Sequence, residues 1–134
     1  MAYAGYLIKV GNYTIPLSLI KADSYSVFMS ITDLDSFVDA NGYLHRNALD
    51  HVANKCEFET VPMLNNTQYA ALMANIRSQF TVAKERKASV TLYIPELDDY
   101  VTQDMYMPDI KPGIYLASAS EIKYNAVRLA FIGY

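Results

Sequence analysis

Helical periodicity is confined to one segment of this chain, and β-type sequence lies on both sides of it. Asn65 can cap the first turn of this segment, and Gln68, three residues later, is close to completing a capping box. The segment also carries one apolar stripe with the spacing of a helix, formed by Tyr69, Leu72, Met73, Ile76 and Phe80. We therefore predict one helix over about residues 66–79.

Segments of β type precede this helix. Residues 6–10 and 13–15 flank the pair Gly11-Asn12, and such a pair between two apolar runs predicts a β-hairpin. Residues 25–31 predict a further strand. In residues 54–61 charged and apolar side chains alternate, which is typical of a strand with one buried face.

The period of two returns after the helix. Residues 90–94 and 100–107 predict two strands joined by a turn, and residues 114–117 and 122–132 predict a last pair. The order of strands, one helix and strands lacks the alternation that a parallel sheet needs. We predict a mainly β, α+β fold in a single domain over residues 1–134. Its architecture would be an antiparallel β-sandwich or partial barrel of about 7–9 strands with one flanking helix.

Residues 33–53 show little periodicity of either kind. They contain Asn41-Gly42, a pair that strongly favours a turn. We interpret this segment as a long excursion from the sheet, in the form of an extended hairpin or an arm.

Tyrosine is the residue type that stands out in the composition. The chain has 12 Tyr, and Tyr favours both strands and protein interfaces. A sheet core can absorb some of them, but each buried hydroxyl needs a partner, so twelve are hard to hide in one core. The net charge of −3 argues against specific nucleic-acid binding, and no window is apolar enough to predict a membrane span.

Few residues suit catalysis. His45, His51 and Cys56 are the histidines and the cysteine of the chain, and a Cys–His nucleophile pair is formally open to them. Cys56 falls on the apolar face of the strand predicted at 54–61, where a cysteine usually packs as a small hydrophobe. Three candidate ligands are too few for the usual zinc site of about four. We predict a non-enzymatic protein without a cofactor.

Two acidic clusters remain. Asp33, Asp35 and Asp39 match a calcium loop only in part, because Phe37 stands at the fifth position and the terminal Glu is missing. The other cluster consists of Glu96, Asp98, Asp99 and Asp104. Both are more simply read as solvated turns, in which acidic side chains cap backbone groups.

The order of these elements resembles that of small tail and baseplate proteins of tailed bacteriophages. The hairpin at 6–15 is followed by Ser-Ile-Thr-Asp-Leu-Asp at 30–35 and by Asp-Ala-Asn-Gly-Tyr-Leu-His-Arg at 39–46. The last stretch looks like the Asn-Gly, two residues and Arg that those proteins carry before a Lys- and Glu-bearing strand, here 55–61. The helix, a Val-x-Leu-Tyr strand and a hairpin with Met-Tyr-Met at 105–107 follow.

The resemblance implies the tail-tube or distal-tail fold, a β-sandwich with one helix that stacks as rings around a channel. It implies a ring of identical subunits, hexameric in this family, with neighbouring tail proteins as further partners. It also implies a place in the virion tail after synthesis in the bacterial host cytoplasm. The interface residues that we expect lie in the excursion and at the N-terminus: Asp33, Asp35, Phe37, Asn41, Tyr43, His45, Arg46, His51, Tyr3 and Tyr6.

Two alternatives stay open on the sequence alone. One is a monomeric binding module whose tyrosines line a groove for a glycan or a peptide. The other is a small hydrolase that uses Cys56 or a pair of carboxylates.

Overall fold

The computed structural model describes residues 3–31 and 33–134, so Met1, Ala2 and Thr32 of the segments discussed above lie outside it. The described residues form one α-helix, α1 (Asn66–Arg77), two short 3-10 helices (Leu17–Leu19 and Ala83–Glu85) and eleven strands. The strands are β1 (Ile8–Val10), β2 (Tyr13–Thr14), β3 (Ser26–Ser30), β4 (Phe37–Val38), β5 (Leu44–His45), β6 (Ala53–Glu59), β7 (Lys87–Ile94), β8 (Asp99–Tyr106), β9 (Ile114–Ala117), β10 (Ile122–Tyr124) and β11 (Arg128–Gly133). The predicted class, mainly β with one flanking helix, is confirmed.

Seven of the strands form one sheet in the order β2-β1-β7-β8-β11-β6-β3. Every neighbouring pair in it is antiparallel, including the N-terminal hairpin of β1 and β2 that the Gly11-Asn12 pair predicts. β11 lies between β8 and β6, so it joins the part of the chain after the helix to the part before it. The remaining strands form two small hairpins, β4 with β5 and β9 with β10.

The long strands bury alternate residues, as the period of two predicts. In β6 the buried residues are Asn54, Cys56 and Phe58, and the residues between them are half-buried. β7 buries every second residue from Ala88 to Ile94. Because successive side chains point to opposite faces of a sheet, one face is apolar and packs against α1, and the other face is polar.

The sheet is curled rather than flat. Tyr25, next to the edge strand β3, donates a hydrogen bond from its hydroxyl to the backbone oxygen of Tyr93 in β7, at 2.8 Å. Three strands separate β3 from β7 in the sheet, and in a flat sheet that would place the two strands about 19 Å apart. The β3 edge therefore bends back over the apolar face, as in the partial barrel that was one of the two predicted architectures.

The helix begins where the sequence predicts. The side chain of Asn65 accepts a hydrogen bond from the backbone N–H of Gln68 at 2.8 Å, and the Gln68 side chain accepts one from the N–H of Asn65 at 3.1 Å. Leu72, Met73 and Ile76 are buried against the sheet. The helix ends at Arg77 rather than at residue 79. The amide of Ser78 still bonds to the carbonyl of Ala74, but those of Gln79 and Phe80 bond to carbonyls three residues back, in a tighter 3-10 turn.

The prediction of a single last strand over residues 122–132 is wrong. Residues 122–124 form β10, which pairs with β9, and the chain then crosses to the centre of the main sheet as β11. At the crossing, the N–H of Asn125 bonds to the oxygen of Gly113 at 2.9 Å and that of Val127 to the hydroxyl of Thr60 at 3.0 Å. These bonds replace the ladder that a continuous strand would form.

The stripe of α1 that faces the sheet should dominate the contribution of the helix to stability. Ile76 is fully buried, so Ile76→Ala should lower the free energy of unfolding by about 2–5 kcal/mol. The exposed neighbour Asn75 serves as a matched control, since Asn75→Ala should change it by no more than about 0.5 kcal/mol. Urea unfolding followed by circular dichroism measures both, and equal effects would contradict docking through this stripe.

Candidate assembly surface

Residues 33–52 leave the main sheet between β3 and β6, and we call this segment the arm. Its strands β4 and β5 pair with Phe37 opposite His45 and Val38 opposite Leu44. Every arm residue is exposed except Asp39, which is half-buried. The structure thus places a hairpin within the excursion that the sequence predicts at 33–53, and only its last residue, Ala53, belongs to the main sheet.

Asp39 organises the tip of the arm. Its Oδ1 accepts hydrogen bonds from the backbone amides of Asn41 at 2.9 Å and Tyr43 at 3.0 Å. Its Oδ2 accepts a hydrogen bond from Nε2 of His45 at 2.7 Å. These donors favour the ionised carboxylate, so the pKa of Asp39 lies below its usual value, with the His45 contact as the largest cause. The turn itself uses the positive φ of Gly42, 86°, which suits glycine.

An ion pair closes the base of the arm. Arg46 donates from Nε and from a terminal nitrogen to the two carboxylate oxygens of Asp33, at 3.1 and 2.9 Å. This two-pronged geometry is the strongest form of such a pair, and it lowers the pKa of the Asp33 carboxyl. Nearby, the ring of His51 donates to the backbone oxygen of Tyr134, which links the arm to the residue after β11.

The arm exposes apolar side chains that its own fold does not cover. The ring of Phe37 stacks on that of His45, with centroids 4.8 Å apart, and yet Phe37 remains 59% exposed. Several exposed apolar side chains on one short segment make it a candidate interaction site. The exposed apolar residues of the arm are Leu34, Phe37, Val38, Tyr43, Leu44, Leu49 and Val52.

The arm also carries the net negative charge of the chain. It contains four Asp and one Arg, so its net charge with neutral histidines is −3. The whole chain also has a net charge of −3, which means that the other residues balance, with ten Lys or Arg and ten Asp or Glu. The structure therefore separates an acidic, apolar arm from a body without net charge.

Tyr3 and Tyr6, the two interface candidates outside the arm, belong to an aromatic cluster. The ring of Tyr6 stacks on that of Tyr100, with centroids 4.6 Å apart. The ring of Tyr93 meets those of Tyr3 and Tyr100 edge-on, with centroid distances of 5.3 and 5.5 Å. The hydroxyl of Tyr100 donates to the backbone oxygen of Tyr6 at 2.7 Å, and burial raises the pKa of Tyr25, whose hydroxyl bonds within the same cluster. Four of these rings thus pack on one another, and the hydroxyls of Tyr25, Tyr93 and Tyr100 have hydrogen-bond partners within the chain.

The groups considered for catalysis do not converge. Cys56 is fully buried, and burial raises the pKa of its thiol to about 12, so the nucleophilic thiolate is scarce at neutral pH. In residues 3–31 and 33–134 no three His, Cys, Asp or Glu side chains group in a way that could hold a metal ion. Asp98 instead accepts a hydrogen bond from the hydroxyl of Tyr93 at 2.7 Å, as a turn residue.

A second exposed apolar surface, on β9, was not predicted from the sequence. β9 is exposed along its whole length, including Ile114, Tyr115 and Leu116. The alternation of a half-buried strand is missing from this segment, and a short run of apolar residues beside Pro112-Gly113 was the one available signal.

In the described residues, α1 is too short and too polar to be a candidate membrane span.

Two solved structures superpose on this chain along most of its length. A chain from the virion of a native gene transfer agent (GTA) particle superposes on it with a TM-score of 0.50 and 16% identity, over 97% of this chain and 91% of that one. A chain from the tail of an empty GTA particle, obtained with helical refinement and C6 symmetry, superposes with a TM-score of 0.49 and 15% identity, over 97% of this chain and 91% of that one. The chain therefore has the fold of a virion component, and the predicted resemblance is confirmed at the level of the fold.

The sequence places the chain in a family that has no assigned activity. It belongs to the family of unknown function DUF6711, whose model matches residues 1–134. No curated protein matches it.

The carboxylate of Asp39 should control the conformation of the arm tip. Because its pKa is lowered in the folded protein, its contribution to the hairpin is present above about pH 3.9, the value for a free Asp. That contribution is lost as the pH falls through the lowered pKa. The amide proton shifts of Asn41 and Tyr43, followed by NMR, should therefore titrate below about pH 3.9.

Asp39→Asn is the matched control, because it keeps the oxygen acceptor but removes the titration. In this variant the two amide shifts should stay constant over the same pH range. A midpoint at or above the value for a free Asp in the unmodified chain would contradict the hydrogen bonds described for the tip.

Proposed function

We propose that this chain is a non-enzymatic structural protein of a phage-like tail or baseplate, and that it assembles as a ring through its arm. The observation that carries the proposal is the arm, which displays apolar residues that a monomer gains nothing by exposing. The shared fold with a GTA virion chain supports the same class of function. Its partners are then further copies of itself and neighbouring tail proteins, and its location is the virion after synthesis in the host cytoplasm.

The edges of the main sheet support assembly as well. β2 forms one edge and β3 the other, and edge strands present unpaired backbone groups that can pair with another chain. Phe28 on β3 is 52% exposed, which adds apolar area at that edge. A hexameric ring is the stoichiometry that the sequence resemblance implies, and it forms part of this proposal.

The structure favours this proposal over a monomeric tyrosine-rich binding module. The hydroxyls of Tyr25, Tyr93 and Tyr100 are engaged in hydrogen bonds within the chain. A glycan-binding groove would need such groups to be available for its ligand. The exposed apolar side chains gather instead on the arm and on β9.

Ring formation is tested by native mass spectrometry and negative-stain electron microscopy, on the chain alone and after co-expression with the products of its flanking genes. The triple variant Phe37→Ser, Val38→Ser, Leu44→Ser should abolish the rings. Since all three side chains are exposed, the free energy of unfolding should change by no more than about 0.5 kcal/mol per substitution.

A variant of the exposed helix face, Thr67→Ser with Asn75→Ser, is the control and should assemble as the unmodified chain does. A chain that stays monomeric under all these conditions and binds none of the neighbouring gene products would overturn the proposal. Rings that persist in the triple variant would show that the arm is not the assembly surface.

A further inference from the structure

A cavity lies beside the C-terminal end of α1, between the helix and the segment that follows β8. Its volume is about 230 Å³. Met73 and Phe80 line it from the helix side, and Met107 and Ile110 line it from the opposite segment. Two arginines also line it, Arg77 and Arg86, and the remaining lining residues are Tyr69 and Pro112. We call this site the helix-end pocket.

The pocket combines apolar walls with two cationic groups. Arg86 contacts the exposed Asp109 with one terminal nitrogen at 3.3 Å, and a guanidinium has five N–H donors. Arg77 takes part in none of the ion pairs found in the described part of the chain. Such a site suits an apolar side chain with a carboxylate close to it.

The size of the pocket restricts what can enter. Sites for small molecules usually have about 300–1,000 Å³, so this pocket is small for that class of ligand. A closed cavity of about 150 Å³ can hold a benzene ring. The pocket therefore fits one aromatic side chain of a protein partner.

The arm supplies the matching chemistry. Phe37 is exposed in the arm, and Asp35 precedes it by two residues. The arm is acidic overall, whereas the pocket carries Arg77 and Arg86, so the charges of the two surfaces are complementary.

We propose that the helix-end pocket receives the arm of a second copy of this chain, with Phe37 in the cavity and Asp35 beside Arg77 and Arg86. The inference rests on the proposed function and adds to it the surface onto which the arm docks. Donor and acceptor are different surfaces of the same chain, so the contact is head-to-tail. Contacts of this kind close into rings when the rotation between copies permits.

Disulfide trapping tests the contact in the full-length chain. Two single variants, Ser36→Cys and Pro112→Cys, are mixed and oxidised, and the products are identified by mass spectrometry; Ser36 is exposed and adjacent to Phe37, so the side chain that fills the cavity is kept. Pro112 lines the pocket and is exposed, and the native Cys56 is buried, so it should not react. Ser36→Cys mixed with Thr102→Cys, an exposed position on the polar face of the sheet, measures random collision.

The mixed Ser36–Pro112 dimer should exceed the Thr102 control by about tenfold or more, the ratio that about 1.4 kcal/mol of specific contact gives. A yield equal to the control overturns the inference. Ring formation by the unmodified chain is scored separately, so rings without this cross-link leave the proposed function standing and reject the pocket. Absence of the cross-link, together with a chain that stays monomeric on co-expression and binds none of the neighbouring gene products, rejects both.

Charge reversal gives an independent test that does not depend on new cysteines. Asp35→Lys and Arg77→Glu should each reduce the ring fraction, by about tenfold for a lost contact of about 1.4 kcal/mol. The double variant should recover it, because the introduced lysine of one copy then meets the introduced glutamate of the next.

Asp35 has a positive φ of 54°, so Asp35→Asn, which tolerates this conformation, separates loss of charge from backbone strain. It should reduce the ring fraction less than Asp35→Lys does. No recovery in the double variant, with both single variants folded by circular dichroism, would overturn the pairing.

Discussion

The structure depends on covering an apolar sheet face that is wider than its one helix can cover. α1 has 12 residues, which makes it about 18 Å long, whereas seven flat strands would span about 29 Å. The curl that brings Tyr25 to Tyr93 removes part of this mismatch, and the segment after β8 covers more. The helix-end pocket lies between the end of α1 and this covering segment.

The local patterns of the sequence predicted most elements because the forces behind them act over a few residues. Asn65 and Gln68 cap the helix within one turn, and the alternation around Cys56 reports a strand with one buried face. Such local patterns could not predict that β11 pairs between β8 and β6. It depends on contacts between residues that are far apart in the chain, and the break at Asn125 gave no local signal of the change of sheet.

The arm was predicted as an excursion from the sheet, but its internal hydrogen bonds and its ion pair were not predicted. The lack of periodicity in residues 33–53 correctly set the arm apart from the sheet. The tyrosines were a less reliable guide, because Tyr100 stacks on Tyr6 and donates its hydroxyl to the Tyr6 backbone oxygen, in a cluster that only the fold assembles. The arginines of the helix-end pocket, Arg77 and Arg86, lie on different elements, so nothing in the sequence brings them together.

The central position of β11 has a consequence for how the chain folds as it leaves the ribosome. β6 and β8 are made earlier, but each lacks a neighbour until residues 128–133 emerge. The nascent sheet therefore exposes two open edges in its middle. The pairing with β6 joins residues that are 69 positions apart at Arg128 and Glu59 and 77 positions apart at Ile132 and Lys55. Closure of such long loops is slow. Folding of this chain is thus expected to finish only after synthesis of the sheet is complete, which separates it in time from any assembly through the arm.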